Sequence, residues 1–290
     1  MIPDARIAVI GLGLMGGSLA RALSSRGARV LGYDRQWGHL DAAVREGVVH
    51  EELDAQLAGL DTADVVVLAL PAEVARELMP RIADRIGAAR LVMDLASTKR
   101  GTVAAAEAAG IGSRYVGAHP LTGSHRAGWG ASRASLFEDA RVFLCPTSST
   151  TAEALRLAES FWRSLRAGVE VLDAETHDEE MAWRSHLPHM VSSALAVSLH
   201  EADVRRSVLG PGGRDMTRLA GGSPAMWLGI AEENSAAIQG ALLAYEGHIR
   251  ALREALARDD STTVRDFLTT GCAWFDGDPG APLTRSMPRA

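Results

Sequence analysis

Up to about residue 173 the apolar positions fall in short continuous runs separated by amphipathic stretches. The runs are "ARIAVIG", "ARVLGYD", "ADVVVLALP", "ARLVMDLA", "SRYVGAHP" and "ARVFLCP", each bounded by Gly, Pro or Asp. Unbroken Val/Ile/Leu rather than strict alternation is the pattern of a strand covered on both faces. Between the runs, segments 14–26 and 72–86 repeat apolar residues at helical spacing, and "AEALRLAESFWRSL" followed by "GVEVLDA" adds a last helix and strand. Strand–helix alternation predicts an α/β domain over residues 1–173, built on a doubly wound, mostly parallel sheet.

From Thr176 onward the strand signal fades and helical periodicity takes over. An all-helical second domain is expected over 174–275, opened by the capping box "THDE", with Thr176 three residues before Glu179. A long helix is predicted from about Pro224 to Arg258. Along it Ile238, Leu242, Tyr245, Ile249, Leu252 and Leu256 are spaced 4, 3, 4, 3, 4, a seam that wants a partner helix. That partner is either the rest of the core or a second copy in a homodimer. The tail 276–290, "DGDPGAPLTRSMPRA" from Asp276, is Gly/Pro-rich, has few large apolar residues and is expected to be disordered. Inside the helical region "EMAWRSHLPHMV" is anomalous, because Pro188 removes an N–H and crowds an earlier carbonyl at a cost of roughly 3 kcal/mol.

Composition changes this picture little. Of 290 residues, 47% are apolar and 23% charged, ordinary for about two globular domains. The net charge of −6 argues against a nucleic-acid partner. Cys145 and Cys272 form no metal-ligand spacing and read as reduced, structural residues. "VVVLAL" is too short to span a bilayer, and no charged-then-apolar leader precedes the first strand, so a soluble cytoplasmic protein is expected.

"IAVIGLGLMGGSLA" sets Gly11, Gly13 and Gly16 in G-x-G-x-x-G spacing after a strand and at the opening of a helix. Such glycines give a tight turn, admit a pyrophosphate to the backbone and allow close helix–strand packing. Leu14, Met15 and the free N–H groups at the helix start would then hold the phosphates. Asp34, 18 residues after Gly16, is placed to accept from the adenosine ribose hydroxyls and to repel a 2′-phosphate, so NAD is expected, with NADP the weaker alternative on account of Arg35. Leu70 and Pro71 end the next strand beside the same cleft.

Three further stretches fall at strand ends or helix starts, on the expected ligand edge: "DLASTK", "GAHPLTGSH" and "SHLPH"; a Gly-rich loop, "GPGGRDMTRLAGGSPAMW", follows. Taken in order, "GLGLMGGS", "DLASTK", "GAHPLTG", "HD…SHLPH" and "RDMTR…PAMW" resemble the prephenate/arogenate dehydrogenase family of tyrosine biosynthesis, over residues 11 to 227. The resemblance implies a Rossmann-type first domain, a helical substrate and dimerisation domain, and the oxidative decarboxylation of prephenate to 4-hydroxyphenylpyruvate with hydride transfer to NAD; arogenate is the alternative substrate. It implies that His119 accepts the 4-hydroxyl proton, a role suited to an imidazole with a reference pKa of ~6.5, and that Ser97 orients the same hydroxyl or the nicotinamide. Ser97 also reads as an N-cap for a helix starting near Thr98, and Lys99 as lining the cofactor cleft. His186 would face the substrate with His189 in support, Pro188 shaping the pocket wall. Thr122, Gly123 and His125 would complete the pocket, and Arg218 would grip a carboxylate bidentately. Arg214 would tie its own loop to Asp178 or Asp215, and Trp227 would pack under the site.

One position departs from the family pattern: "GSHRAG" puts His125 where many members carry an acid. The more basic pocket favours a keto acid over an amino acid, hence prephenate over arogenate. The length implies a dehydrogenase without a fused mutase or regulatory module. Two other readings share the glycine motif. A β-hydroxyacid dehydrogenase or imine reductase would need a catalytic lysine or other acid that the helical region does not offer. A non-catalytic dinucleotide sensor would not keep His119, His186 and Arg218. A tailoring enzyme for a 4-amino analogue would use the same motifs.

Overall fold

The computed structural model describes residues 5–87, 89–123 and 126–277. Among them eight strands form one sheet: β1 (Arg6–Ile10), β2 (Arg29–Tyr33), β3 (Glu51–Glu52), β4 (Val65–Leu68), β5 (Leu91–Asp94), β6 (Tyr115–Pro120), β7 (Arg141–Pro146) and β8 (Gly168–Val171), in the order β3-β2-β1-β4-β5-β6-β7-β8. Every pairing is parallel except β6 with β7, so β7 and β8 run against the rest. Seven of these strands match the apolar runs; the two-residue edge strand β3 carries no run of its own.

Both faces are covered, which is why the runs are unbroken. Ile7, Val9, Val67, Met93 and Leu144 point to one side, where α1 (Leu14–Ser24) adds Leu19 and Leu23; Phe161 and Trp162 close it from α5 (Ala152–Ser164). Ala8, Ile10, Val66, Leu68 and Val92 point to the other, against Ala75, Met79 and Ile82 of α3 (Ala72–Ala83) and Ala106 of α4 (Arg100–Ala108). Alternate residues of one strand thus serve two cores. The chain reverses its strand order beside β1, and the crevice at the carboxyl ends of β1 and β4 is where such sheets bind ligands.

Helix α2 (Trp37–Arg45) joins β2 to β3, and the other α-helices follow β8: α6 (Ala174–Met181), a π-helical turn (Ala182–His186), α7 (Leu187–Glu201), α8 (Pro211–Met216), α9 (Pro224–Glu233), α10 (Ser235–Ala257) and α11 (Ser261–Phe275). Residues up to Ile238 form one compact unit with the sheet, and those from Gln239 form another. Three local expectations are corrected. The cap of α6 is Asp173, whose carboxylate accepts from the Thr176 N–H and hydroxyl, so Thr176 is the capped residue rather than the cap. The long helix from Pro224 is broken at Asn234, where φ reaches −120° and the side chain is committed elsewhere. Cys145 is buried in β7, with burial raising its thiol to about 12, whereas Cys272 is exposed and fills no core. No helix among the described residues is long and apolar enough to cross a membrane.

Candidate active site

The glycine turn connects β1 to α1. Gly11 has φ +96°, and a Cβ there would lie 2.4 Å from the Ala69 carbonyl oxygen. A Cβ on Gly16 would lie 1.8 Å from the Gly11 oxygen, whereas one on Gly13 would meet nothing within 4 Å. The turn is therefore tight against protein at Gly11 and Gly16 and open at Gly13, the cradle a pyrophosphate requires. Helix α1 starts without a side-chain cap, so its leading N–H groups, from Leu14 and Met15 onward, are left for an anion. Asp34 follows β2, and its carboxylate accepts from the Leu12 N–H at 2.7 Å and the Gln36 N–H at 2.7 Å. It is thereby fixed against the glycine turn, with His39 Nδ1 at 3.4 Å and Arg35 exposed beside it. Leu70 is half-buried and Pro71 exposed at the end of β4.

His119 lies near the end of β6, two residues past Gly117, the last residue of that strand to pair with β5. Its Nδ1 is 2.9 Å from His177 Nε2, and His177 Nδ1 is 2.8 Å from Asp178 Oδ1. The same carboxylate accepts the Lys99 N–H at 2.8 Å and the Arg100 N–H at 2.9 Å. Asp178, from α6, therefore caps α4 across space, and Ser97 does not. Ser97 is half-buried in the β5–α4 connection, its hydroxyl unbonded among the described residues.

Burial works against ionising Asp178, but the hydrogen bond from His177 and the two backbone N–H groups outweigh it and lower its pKa. The carboxylate is acceptor-only, so His177 carries its proton on Nδ1 and offers a lone pair at Nε2. His119 must then donate from Nδ1, which leaves its own Nε2 as a lone-pair acceptor. Burial first, then the neighbouring His177, Lys99 and His186, push the pKa of His119 well below the usual imidazole value. Burial likewise lowers His177, against the pull of Asp178. The ionised Asp178 and the two neutral imidazoles form a relay ending in a bare imidazole nitrogen, the arrangement of a general base.

Pro188 stands at the start of α7, and the turn before it widens to π geometry over Ala182–His186. A π turn accommodates the missing N–H and often marks a functional site. His186, 1% exposed, faces Asn234, whose Nδ2 lies 3.2 Å from its Nδ1 and 2.6 Å from the Asp178 carbonyl oxygen. Burial lowers His186 to about 4, partly offset by Asp178. His189 stacks on Trp227 with ring centroids 3.5 Å apart, and His186 meets the same indole edge-on at 6.1 Å. The turn Leu219–Gly221 docks on α7 through the Ala220 N–H to Ser192 Oγ at 3.1 Å. Arg218 sits at its start, exposed and with no side-chain partner among the described residues.

Thr122 follows β6, half-buried, with its hydroxyl donating to the Leu136 carbonyl at 3.1 Å, and Gly123 beside it is exposed. His125 lies outside the described residues. Two expectations are overturned. Lys99 does not line a cleft: its side chain is fully buried, paired with Asp94, which also accepts from the Tyr115 hydroxyl. Arg214 holds its loop through the Leu209 carbonyl, not through Asp178 or Asp215. The residues missed in the sequence are His177, Asp178 and Asn234; the "HD" pair was visible, but nothing local tied it to His119.

A sequence profile described as "Prephenate dehydrogenase, nucleotide-binding domain" matches residues 19–171, and one described as "Prephenate dehydrogenase, dimerization domain" matches 173–270. The chain belongs to the prephenate dehydrogenase family. It is 31% identical to the prephenate dehydrogenase of Bacillus subtilis (strain 168), over 94% of this chain and 76% of that one. The prephenate dehydrogenase from A. aeolicus, solved in complex with hydroxyphenyl propionate and NAD+, superposes with a TM-score of 0.87 at 29% identity, covering 96% of this chain and 99% of that one. Synechocystis arogenate dehydrogenase gives 0.81 at 28%, over 94% and 99%. A Streptomyces aurantiacus imine reductase, 19% identical with a TM-score of 0.53 over 90% and 88%, shares the fold alone. Membership in the prephenate dehydrogenase family removes the β-hydroxyacid and imine reductase readings.

Proposed function

We propose that this member of the family catalyses the oxidative decarboxylation of prephenate to 4-hydroxyphenylpyruvate. The observation that carries the reading is the Asp178–His177–His119 relay, which presents a neutral acceptor at the end of β6. The cofactor is NAD: the open backbone at Gly13, the uncapped start of α1 and the Asp34 carboxylate fit a dinucleotide without a 2′-phosphate. When bound, NAD accepts the hydride that leaves C4 of the ring.

His119 Nε2 accepts the 4-hydroxyl proton as the C4–O bond becomes a carbonyl. The C1–CO2 bond then breaks, its electron pair completes the aromatic ring, and the phenolate oxygen takes the proton back from His119. No net proton is released. Ser97, whose hydroxyl has no partner among the described residues, orients the 4-hydroxyl or the nicotinamide. His186 and Arg218 hold the substrate's carboxylates, His189 keeps Trp227 in place beneath them, and Thr122 and Gly123 border the pocket. Preference for prephenate over arogenate follows from the sequence at His125.

The chain acts as a homodimer in this proposal. Support comes from the matched dimerization domain and from the unit after Ile238, in which Ile249, Leu256, Leu268, Trp274 and Phe275 are exposed. A cytoplasmic location is proposed on the sequence reading.

The deciding experiment is an initial-rate assay pairing prephenate or arogenate with NAD or NADP and following reduced nicotinamide. The highest kcat/KM is expected for prephenate with NAD. Preference for arogenate would overturn the reading of His125, and no rate with either ring substrate would overturn the function.

A further inference from the structure

The carboxamide of Asn234 stands at the break between α9 and α10, 1% exposed. Its Nδ2 is shared between the Asp178 carbonyl oxygen and His186 Nδ1, while Oδ1 has no partner among the described residues. The orientation of the amide is forced: rotated by 180°, Oδ1 would face the Asp178 carbonyl oxygen at 2.6 Å, two acceptors in contact. With NH2 on that side, one hydrogen goes to the carbonyl and the other points at His186. A second donor cannot meet it there, so His186 Nδ1 is a lone pair and its proton sits on Nε2.

We infer that Asn234 is a positioning residue that fixes His186 as an Nε2–H donor, the opposite polarity to His119. Asp178 is the hub of both assignments. Its carboxylate, through His177, makes His119 an acceptor, and its backbone carbonyl, through Asn234, makes His186 a donor. The first polarity suits a hydroxyl that must lose its proton, and the second a carboxylate that accepts hydrogen bonds. Asn234 reaches both groups from the break between α9 and α10.

The inference rests on the proposed contact of His186 with substrate, and the test separates the two. Ring 15N spectra of the full-length protein labelled at histidine report the tautomer of each imidazole, with His186 assigned from its loss in His186→Gln. The native protein should show His186 protonated at Nε2. Asn234→Leu, similar in volume, and Asn234→Ala remove the donor to Nδ1. In either variant the Nδ1–H form should gain population, and KM for prephenate should rise about 10-fold, with kcat and the KM for NAD within ~3-fold of native, the loss expected of one hydrogen bond. Nδ1–H in the native protein would overturn the inference whatever the variants do. So would an unchanged tautomer and an unchanged KM for prephenate in both variants. The Nε2–H tautomer in a protein that turns over neither ring substrate would instead uphold Asn234 and defeat the substrate reading.

Discussion

The Asp178 carboxylate ends two structures at once: it closes the N-terminus of α4 through the Lys99 and Arg100 N–H groups, and it begins the hydrogen-bond chain that runs through His177 to His119. A helix start offers unpaired donors and a positive dipole end, so it keeps a buried carboxylate ionised. An ionised Asp178 is what holds the two imidazoles in their tautomers. Helix capping and catalytic polarity are therefore one interaction. Asp178→Asn should lower kcat with prephenate by at least ~10²-fold, the scale of a misplaced general base, while KM for NAD stays unchanged. Melting should show a simultaneous loss of about 1–2 kcal/mol from the weakened cap. A kcat within a factor of three of native would remove Asp178 from the relay.

His119 is buried and its pKa depressed, so it stays neutral where a free imidazole has begun to protonate. The sign is that of a base that must be unprotonated. kcat/KM should stay level as pH drops past the ordinary value of ~6.5 and fall only at lower pH. His119→Asn should abolish that acidic limb and cost on the order of 10²–10⁴ in rate. A native profile that falls off at or above the ordinary imidazole value would show that the relay does not keep His119 neutral.

Much of this was legible in the sequence, and the rest was not, for physical reasons. Strands covered on two faces write themselves as unbroken apolar runs, and the crowding at Gly11 and Gly16 admits no side chain, so sheet and cofactor turn could be read. His119 could be found through the family resemblance that "GAHPLTG" helps to carry. The relay could not, because His177 lies 58 positions away and is joined to His119 only by folding. Lys99 reads as a loop cation until Asp94 and Tyr115 close around it. Asn234 hides in a stretch whose periodicity runs straight through it. Long-range hydrogen bonds of buried polar groups have no local signature.

Asp34 is held by two backbone N–H groups, which fixes its charge beside the glycine turn. Asp34→Asn keeps the size and one acceptor but removes the charge. The ratio of kcat/KM for NAD over NADP should fall at least ~10-fold, with Arg35 free to meet the 2′-phosphate. An unchanged ratio in the prephenate assay would assign the discrimination elsewhere.

In the unit after Ile238, Leu256 of α10 and Leu268 of α11 are 58% and 62% exposed, more apolar surface than a free helical pair leaves to water without cause. If a second copy covers it, Leu256→Asp with Leu268→Asp should convert a dimer to monomers in sedimentation equilibrium. A native chain that sediments as a monomer at micromolar concentration would end the homodimer proposal.

The buried imidazoles also set how stability responds to acid. His186 titrates at about 4 in the folded chain against ~6.5 unfolded, because burial disfavours its cation. Between those two values the unfolded chain binds a proton that the folded chain does not, so stability falls as pH drops through this window and levels off below the folded value. The difference amounts to roughly 3 kcal/mol from this one residue, and the depressed values of His119 and His177 act in the same direction. Urea unfolding at a series of pH values should show a free energy that declines from pH ~6.5 toward ~4. His186→Gln, which has no proton to gain, should flatten the decline even where it lowers the stability at neutral pH. A free energy of unfolding that is constant across the window would mean that His186 is solvated and charged, and no longer a buried neutral donor.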